Sequence, residues 1–546
     1  MTSFNEEYDV VIVGSGAAAL AAALGAVDEG LSVVMIESSA RWGGNSNKSG
    51  GGMWLPNNPL MRADGVGDSR EEALEYIALT AKNDHRATNP ARQAAFVDGI
   101  EDWVTTCQKY GLRLVRSKDY PDYYPELPGG KIGRALEVYP ISKQLMGPWA
   151  EKISSQAALP IMTDDVWLLT RALASYDGFK RGVRLTSRLA RGFVTRKGLL
   201  AGMGVALTGS LLHAAVIKGG ATLLLETPLT DLIVEDGRVV GVKATRDGRE
   251  VTFGARRGVV LGSGGFDGNR AKRRELQGVE GNPSGVLTNL GAPIDIAARH
   301  GAALELMDDA WWGASAISPE PGVADPTFLV GERAMPYSII VDDQGRRFAN
   351  EAESYIDIGH HMLEHNKDGR WWMIADKRHR RYLRNYLLAP GVKKRLTAGG
   401  HYAEADTIEE LATRINVPAA NLRQTVDRFN GFARAGIDGD FGRGDSAYDR
   451  YYSDPGVRPN PNLGPLEKAP FDAIEIVIGD LGTKGGIVTD EFARALCEDG
   501  TVIEGLYASG NCSASVMGHT YPGPGSTLGP ATVFGLIAAR HIARNN

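Results

Sequence analysis

Gly14-Ser15-Gly16-Ala17-Ala18-Ala19 has the residue types and spacing that hold a dinucleotide. In such a G-x-G-x-x-A turn the first glycine permits a tight bend and the second lets backbone approach a pyrophosphate. The small third residue lets helix and strand pack closely. Glu37 lies 23 residues beyond Gly14. A carboxylate there accepts hydrogen bonds from both ribose hydroxyls and repels a 2′-phosphate. A second run, Gly43-Gly44-Asn45-Ser46-Asn47-Lys48-Ser49-Gly50-Gly51-Gly52, follows at once. So many glycines cost conformational entropy, so the run makes sense where backbone lies against a flat ring or a phosphate.

The elements that must position these residues are legible around them. Tyr8 to Val13 is a β-branched run suited to a strand buried on both faces, and Ser32 to Ile36 is a second. An Ala-rich helix lies between them. Gly258 to Leu261 reads as a strand entering the glycine turn Ser263-Gly264-Gly265. Near the C-terminus, Leu506 to Ser509 leads into Gly510-Asn511, and Thr527-Leu528-Gly529 opens a helix reaching Ala543. That helix N-terminus can face the pyrimidine end of a flavin with partial positive charge. No second glycine unit suited to a nicotinamide nucleotide is evident, so the pattern fits FAD held along its length. Candidate cofactor contacts are Gly14, Gly16, Ala17, Ala18, Glu37, Ser38, Gly43, Gly44, Asn45, Ser46, Ser49, Gly50, Gly51, Gly52, Leu229, Ser263, Gly264, Gly265, Gly510, Asn511, Thr527, Leu528 and Gly529.

Composition narrows the class. The chain of 546 residues exceeds one ordinary domain, and 43% hydrophobic with 23% charged residues is the balance of a soluble globular protein. A net charge of −6 argues against a dedicated nucleic-acid binder. Three cysteines, none in a C-x-x-C, point to a reducing compartment and away from a cysteine metal site. The first residues are acidic, with no basic region ahead of an apolar run, so a cytoplasmic location is expected. His360, His361 and His365 lack the HExxH pattern and read as a helix surface, so no metal site is expected. The glycine-rich segment 435–452 reads as a structured connection, and the tryptophan pairs 311–312 and 371–372 as core or interface.

Taken in order, GSGAAA, Glu37, GGNSNKSGGG, VLGSGGF, LYASGN and YPGPGSTLGPA resemble the FAD-dependent fumarate reductase/ketosteroid dehydrogenase superfamily from about Tyr8 to Arg544. Within it the chain is most similar to 3-ketosteroid Δ1-dehydrogenases. Three segments carry that narrower resemblance: 120–126 (YPDYYPE), 345–355 (GRRFANEAESY) and 521–525 (YPGPG). Leu481-Gly482-Thr483-Lys484-Gly485-Gly486 stands where fumarate reductases carry a histidine-bearing motif for a dicarboxylate. The resemblance implies an α/β fold, with a Rossmann-like FAD domain at about 1–297 and 473–546 interrupted by a smaller α+β cap at about 298–472. It implies removal of a proton from ring-A carbon 2 by Tyr355, assisted by Tyr123, with Tyr124 as the register alternative. It implies, further, that the Tyr521 hydroxyl and the Gly525 N–H bind the ketone oxygen and that hydride passes from carbon 1 to flavin N5. Trp54, Tyr120 and Pro524 are candidates for lining the steroid slot. The implied partners are a 3-ketosteroid and an external, quinone-like electron acceptor; the oligomeric state stays open. Two alternatives remain at this level. One is another oxidoreductase of the superfamily, a Δ4-dehydrogenase or an enoate/fumarate-type reductase. The other is a flavin-bearing sterol-binding protein without turnover.

One segment stands apart. Residues 178–198 carry Lys180, Arg181, Arg184, Arg188, Arg191, Arg196 and Lys197 without an acid. Leu185, Leu189 and Phe193 form an apolar stripe, so the spacing predicts a basic amphipathic helix. Such a helix suits a peripheral site on an anionic membrane, or an intersubunit or intradomain contact. The uncharged stretch 199–217 that follows is expected to be a buried packing helix, because Gly202, Gly204, Gly209 and His213 suit close packing better than a membrane span.

Overall fold

The structure, a computed structural model, describes residues 3–155, 160–170, 176–194, 200–319, 326–383 and 391–545. The apolar run at the N-terminus forms the strand Glu6–Val13 in the middle of a parallel array. It pairs on one side with Arg249–Leu261, setting Val11 opposite Val259, and on the other with Val33–Ile36. Val502–Ala508 and Thr222–Leu224 extend this array in parallel at its two ends. Three antiparallel strands, Leu229–Glu235, Arg238–Arg246 and Arg494–Leu496, complete eight. Val33–Ile36 is buried throughout, as a strand covered on both faces must be.

The helix Ala17–Asp28 covers the sheet, and the C-terminal helix Leu528–Arg544 packs along it. Two glycines allow that approach. A Cβ on Gly25 would stand 2.8 Å from the Ala539 Cβ, and one on Gly535 would stand 2.6 Å from the Ala18 carbonyl.

A second, seven-stranded sheet is built on the long strand Phe471–Thr483. Ala310–Ala316, Trp371–Asp376 and Tyr402–Ala405 pair antiparallel with it, and Asn282–Pro283 pairs parallel. The helix Tyr355–Asn366 lies across Ala310–Ala316, where a Cβ on Gly359 would meet Trp312 Cβ at 2.5 Å. The molecule is thus mixed α/β, with a parallel FAD-type sheet and a second α+β unit, as the sequence reading expects.

The uncharged stretch after residue 199 becomes the buried helix Met203–Leu212 and its continuation His213–Lys218. Among the described residues no helix is long and apolar enough to cross a membrane. The basic segment forms the helix Tyr176–Val194, with Tyr176, Phe179 and Val183 exposed beside Lys180 and Arg184. Arg181 is held by Asp165 at 2.8 Å. Arg196 and Lys197 lie outside the described residues, as do the side chains of Arg188, Leu189, Arg191 and Phe193.

Candidate active site

The dinucleotide cradle is set by backbone. Gly14 has φ +105°, and a Cβ there would lie 2.5 Å from the Gly262 carbonyl, so only glycine lets the first strand meet the Ser263–Gly265 turn. Ser15 Oγ donates to Glu37 at 2.6 Å and accepts from Gly43 N at 2.9 Å. Ser39 N and the Ser38 hydroxyl also reach the Glu37 carboxylate. Beside Gly16, Ser46 Oγ accepts from Ala17 N at 3.0 Å, at the start of the helix that also carries Ala18. Leu229 opens its strand close behind, two residues past Thr227, which bonds the Glu37 carbonyl at 2.8 Å.

The second glycine run is pressed into place. Gly44 lies in the short helix Gly44–Lys48, and Ser49 Oγ caps back to the Ser46 carbonyl. Gly50 follows, and a Cβ on Gly51 would be 2.3 Å from Met203, so the buried helix packs directly on the run. The Asn45 side chain is tied to protein on both sides: it donates to Asp267 at 3.0 Å and accepts from Val286 N at 2.6 Å. Burial pushes the Asp267 carboxyl up to about 6.

Farther along, Ser263 Oγ donates to Cys512 Sγ at 3.4 Å, and Gly264 has φ +78°. A Cβ on Gly265 would strike Thr483 Oγ1. Gly510, with φ +70°, meets Ala18, and Asn511 lies against Gly482. Thr527, Leu528 and Gly529 begin the C-terminal helix. One carboxylate at a strand end, helix N–H groups and a long glycine-lined path are the donor set a dinucleotide requires, so the residues fit the group. Gly14→Ala is expected to weaken dinucleotide binding at least about tenfold, which is 1.4 kcal/mol. The check is the flavin-to-protein absorbance ratio of the purified variant.

Three phenols from three distant segments meet at one point. The Tyr123 and Tyr521 rings stack with centroids 5.3 Å apart, Tyr355 lies 5.5 Å from Tyr123, and Tyr355 lies 5.0 Å from Tyr521. All three are buried. Local structure explains each placement. The Pro522 carbonyl accepts both Tyr123 N at 2.9 Å and Tyr76 O–H at 2.6 Å, which staples the Tyr123 loop to the Tyr521 loop. Beneath them, Asp122 accepts Trp54 Nε1–H and Arg134, each at 2.7 Å. Trp54 is therefore wholly enclosed under Gly523.

Tyr355 is the first residue of its helix. The turn before it is gripped by buried arginines. Arg333 donates to the Glu351 and Glu353 carbonyls, and Arg347 forms a double hydrogen bond with the Glu351 carboxylate. Gly525 has φ +94°, and a Cβ there would lie 2.2 Å from the Gly52 carbonyl. Its carbonyl accepts from Trp54 N and Gly529 N, while its own N–H donates to none of the described residues. Pro524 is buried beside it, its carbonyl close to Gly52.

Burial pushes the Tyr355 phenol far above its ordinary range, and neighbouring Tyr123 and Tyr521 add to the rise. Tyr123 and Tyr120 are raised for the same reason. One feature opposes this cost: a helix N-terminus stabilises negative charge, and Tyr355 sits on it. Asp357 in the same turn has its carboxyl raised by burial and accepts the Tyr124 hydroxyl at 3.0 Å. Tyr124 thus bonds to the helix that begins at Tyr355 and does not join the three-ring contact.

The aromatic cluster is larger than the sequence reading expects. The segment 435–452, read as a connection, delivers Tyr448, Tyr451 and Tyr452 to the site. Tyr448 lies 4.5 Å from Tyr123, Tyr451 stacks on Tyr120 at 4.4 Å, and the Tyr452 hydroxyl bonds Tyr120 at 2.5 Å. Tyr120 also reaches the Tyr123 hydroxyl at 3.3 Å. Trp311 packs edge-on against Tyr521 at 5.2 Å. His360, expected on the helix surface, turns inward to Asp309 at 2.9 Å.

Comparison with known proteins bears on this geometry. Residues 9–528 match the family model described as FAD binding domain. A 3-oxosteroid 1-dehydrogenase of Mycolicibacterium smegmatis is 42% identical, over 98% of this chain and 97% of its own. A 4-oxocyclohexanecarboxylate 2-dehydrogenase of Sinomonas cyclohexanicum is 35% identical, over 98% and 93%. The crystal structure of a 3-ketosteroid Δ1-dehydrogenase from Sterolibacterium denitrificans, in complex with 1,4-androstadiene-3,17-dione, superposes with a TM-score of 0.91. It is 36% identical and covers 99% of this chain and 100% of its own.

Proposed function

The chain belongs to the 3-oxosteroid 1-dehydrogenases of the FAD-binding family, and from that premise we propose that it desaturates ring A of 3-ketosteroids with Tyr355 as base. It is an FAD-dependent oxidoreductase. The observation that carries the finer reading is the mutual contact of Tyr123, Tyr355 and Tyr521, with the Gly525 N–H, four residues past Tyr521, donating to none of the described residues.

The proton at carbon 2 is weakly acidic because the ketone is next to it. Donors on the ketone oxygen lower the cost of removing it, since they hold the charge that develops there. The Tyr521 hydroxyl and the Gly525 N–H supply these donors from one short turn. Tyr355 takes the proton, the helix N-terminus reduces the cost of the phenolate this requires, and Tyr123 packs against its ring. The electron pair of the broken C2–H bond becomes the new C1=C2 bond. FAD, when bound, supplies the acceptor for the hydride that leaves carbon 1. The aromatic walls exclude water from the developing enolate.

Substrate size gives the test. Each buried CH₂ contributes about 0.8 kcal/mol, so the three further rings of a steroid add several kcal/mol over a single ring. The expected kcat/KM for a 3-ketosteroid exceeds that for 4-oxocyclohexanecarboxylate by at least about 10². The product is expected to be the Δ1 compound by mass and NMR. A preference for the one-ring ketone, or desaturation at carbons 4 and 5, contradicts the reading.

We further propose that the basic helix Tyr176–Val194 rests on an anionic lipid surface, where steroid collects. Exposed Tyr176 and Phe179 flanked by Lys180 and Arg184 support it. The full-length protein is expected to co-sediment with phosphatidylserine vesicles at low salt and to leave them as salt rises. Equal recovery in the supernatant with and without vesicles at low salt defeats this proposal.

A further inference from the structure

Asp309 lies outside the phenol cluster, yet it touches the helix that carries Tyr355 and the loop that carries Tyr521. Its Oδ1 accepts Ala310 N at 2.8 Å and His360 Nε2 at 2.9 Å. Its Oδ2 accepts Lys484 Nζ at 2.9 Å and His519 Nδ1 at 2.7 Å. A carboxylate offers about four acceptor positions, so all are filled. His360 is on the same helix as Tyr355. His519 stands two residues before Tyr521. Ala310 precedes Trp311, which packs on Tyr521, and Lys484 lies fully buried over the Trp311 ring at 5.0 Å.

We propose that Asp309 is the positioning residue that fixes the separation of Tyr355 and Tyr521 across the two sheets. The proposal rests on the reading above that these two phenols form the working pair. Tyr355 arrives on a helix of the second sheet's unit, and Tyr521 on a loop ahead of the C-terminal helix of the first. The two share no backbone pairing, so their spacing needs a strut. Asp309 serves as one because it is ionised and enclosed. Burial alone would push its carboxyl up, but the Lys484 ammonium with His360 and His519 holds it well below the usual carboxylate range. Charge-assisted bonds in such surroundings are short and directional. The imidazole N–H groups donate, so neutral rings suffice for the strut.

Removing Asp309 itself would strand the buried Lys484 and endanger folding, so the arms are cut one at a time in the FAD-bound enzyme. His360→Leu and His519→Leu are each expected to widen the Tyr355–Tyr521 ring separation beyond 5.0 Å in the crystal. A misplacement of about 1 Å costs on the order of 10² in rate, so kcat is expected to fall at least about tenfold with KM nearly unchanged. His360→Gln keeps a donor where Nε2 stands, and His519→Asn keeps one where Nδ1 stands. Both are expected to restore separation and kcat, which a general packing role would not predict. If both leucine variants keep the 5.0 Å separation with full flavin content, the strut is wrong. Failure of the wild-type enzyme to desaturate ketosteroids would instead overturn the functional reading, and the ring separations would still decide on the strut.

Discussion

Tyr355→Phe is expected to lower kcat by about 10³ while FAD content and fold stay intact, a loss of about 4 kcal/mol in transition-state stabilisation. The substitution removes one oxygen from a buried ring whose edge contacts with Tyr123 and Phe328 are otherwise kept. Stability is therefore expected to change little, and the loss should be chemical. The buried phenol is raised far above its ordinary range, so the phenolate is scarce at neutral pH. A raised pKa leaves the neutral form dominant below it, so kcat/KM is expected to climb with pH through the alkaline range in the wild type. In Tyr355→Phe that limb should vanish. Steady-state kinetics from pH 6 to 10, set against the flavin content of each sample, checks both points. A Tyr355→Phe enzyme with wild-type kcat removes the proposed base.

Tyr521→Phe is expected to cost about 10² to 10³ in kcat, the range for one lost donor to a developing oxyanion. The effect is smaller than for Tyr355→Phe because the Gly525 N–H stays. That donor is backbone, fixed by a glycine whose φ of +94° and contact with Gly52 admit no side chain. The ring of Tyr521 also packs on Trp311 and Tyr123, contacts a phenylalanine retains. Hydrogen exchange at carbon 2 of the ketosteroid in D₂O separates the two variants from binding defects, because exchange reads enolisation alone. Both are expected to slow exchange in proportion to kcat. Unchanged exchange in Tyr521→Phe would place the ketone elsewhere.

What the sequence made legible follows from the range of each interaction. The cofactor half was readable because strand, glycine turn, helix and acid lie within residues 8–37, where spacing alone sets geometry. The buried helix after residue 199 was readable from its glycines, and Gly204 and Gly209 do sit where a Cβ would strike a neighbour. The phenol pocket was different. Tyr123, Tyr355 and Tyr521 are more than a hundred residues apart from one another, and no local pattern distinguishes them from the other tyrosines among 18. Only family resemblance singled them out. Tyr448, Tyr451 and Tyr452 escaped because a polar, glycine-rich segment looks like a connection. Their i, i+3, i+4 spacing, which is one helical face, was the available signal. Asp309 had no local signal, because its four partners come from residues 310, 360, 484 and 519.

The most direct test of the account is anaerobic mixing of the FAD-bound enzyme with one equivalent of a 3-ketosteroid, followed in the visible flavin band. The account predicts that the band bleaches in the wild type, with Δ1 product formed, and bleaches about 10³ more slowly in Tyr355→Phe. A band that shifts without bleaching in the wild type, or equal bleaching rates in the two proteins, would contradict it.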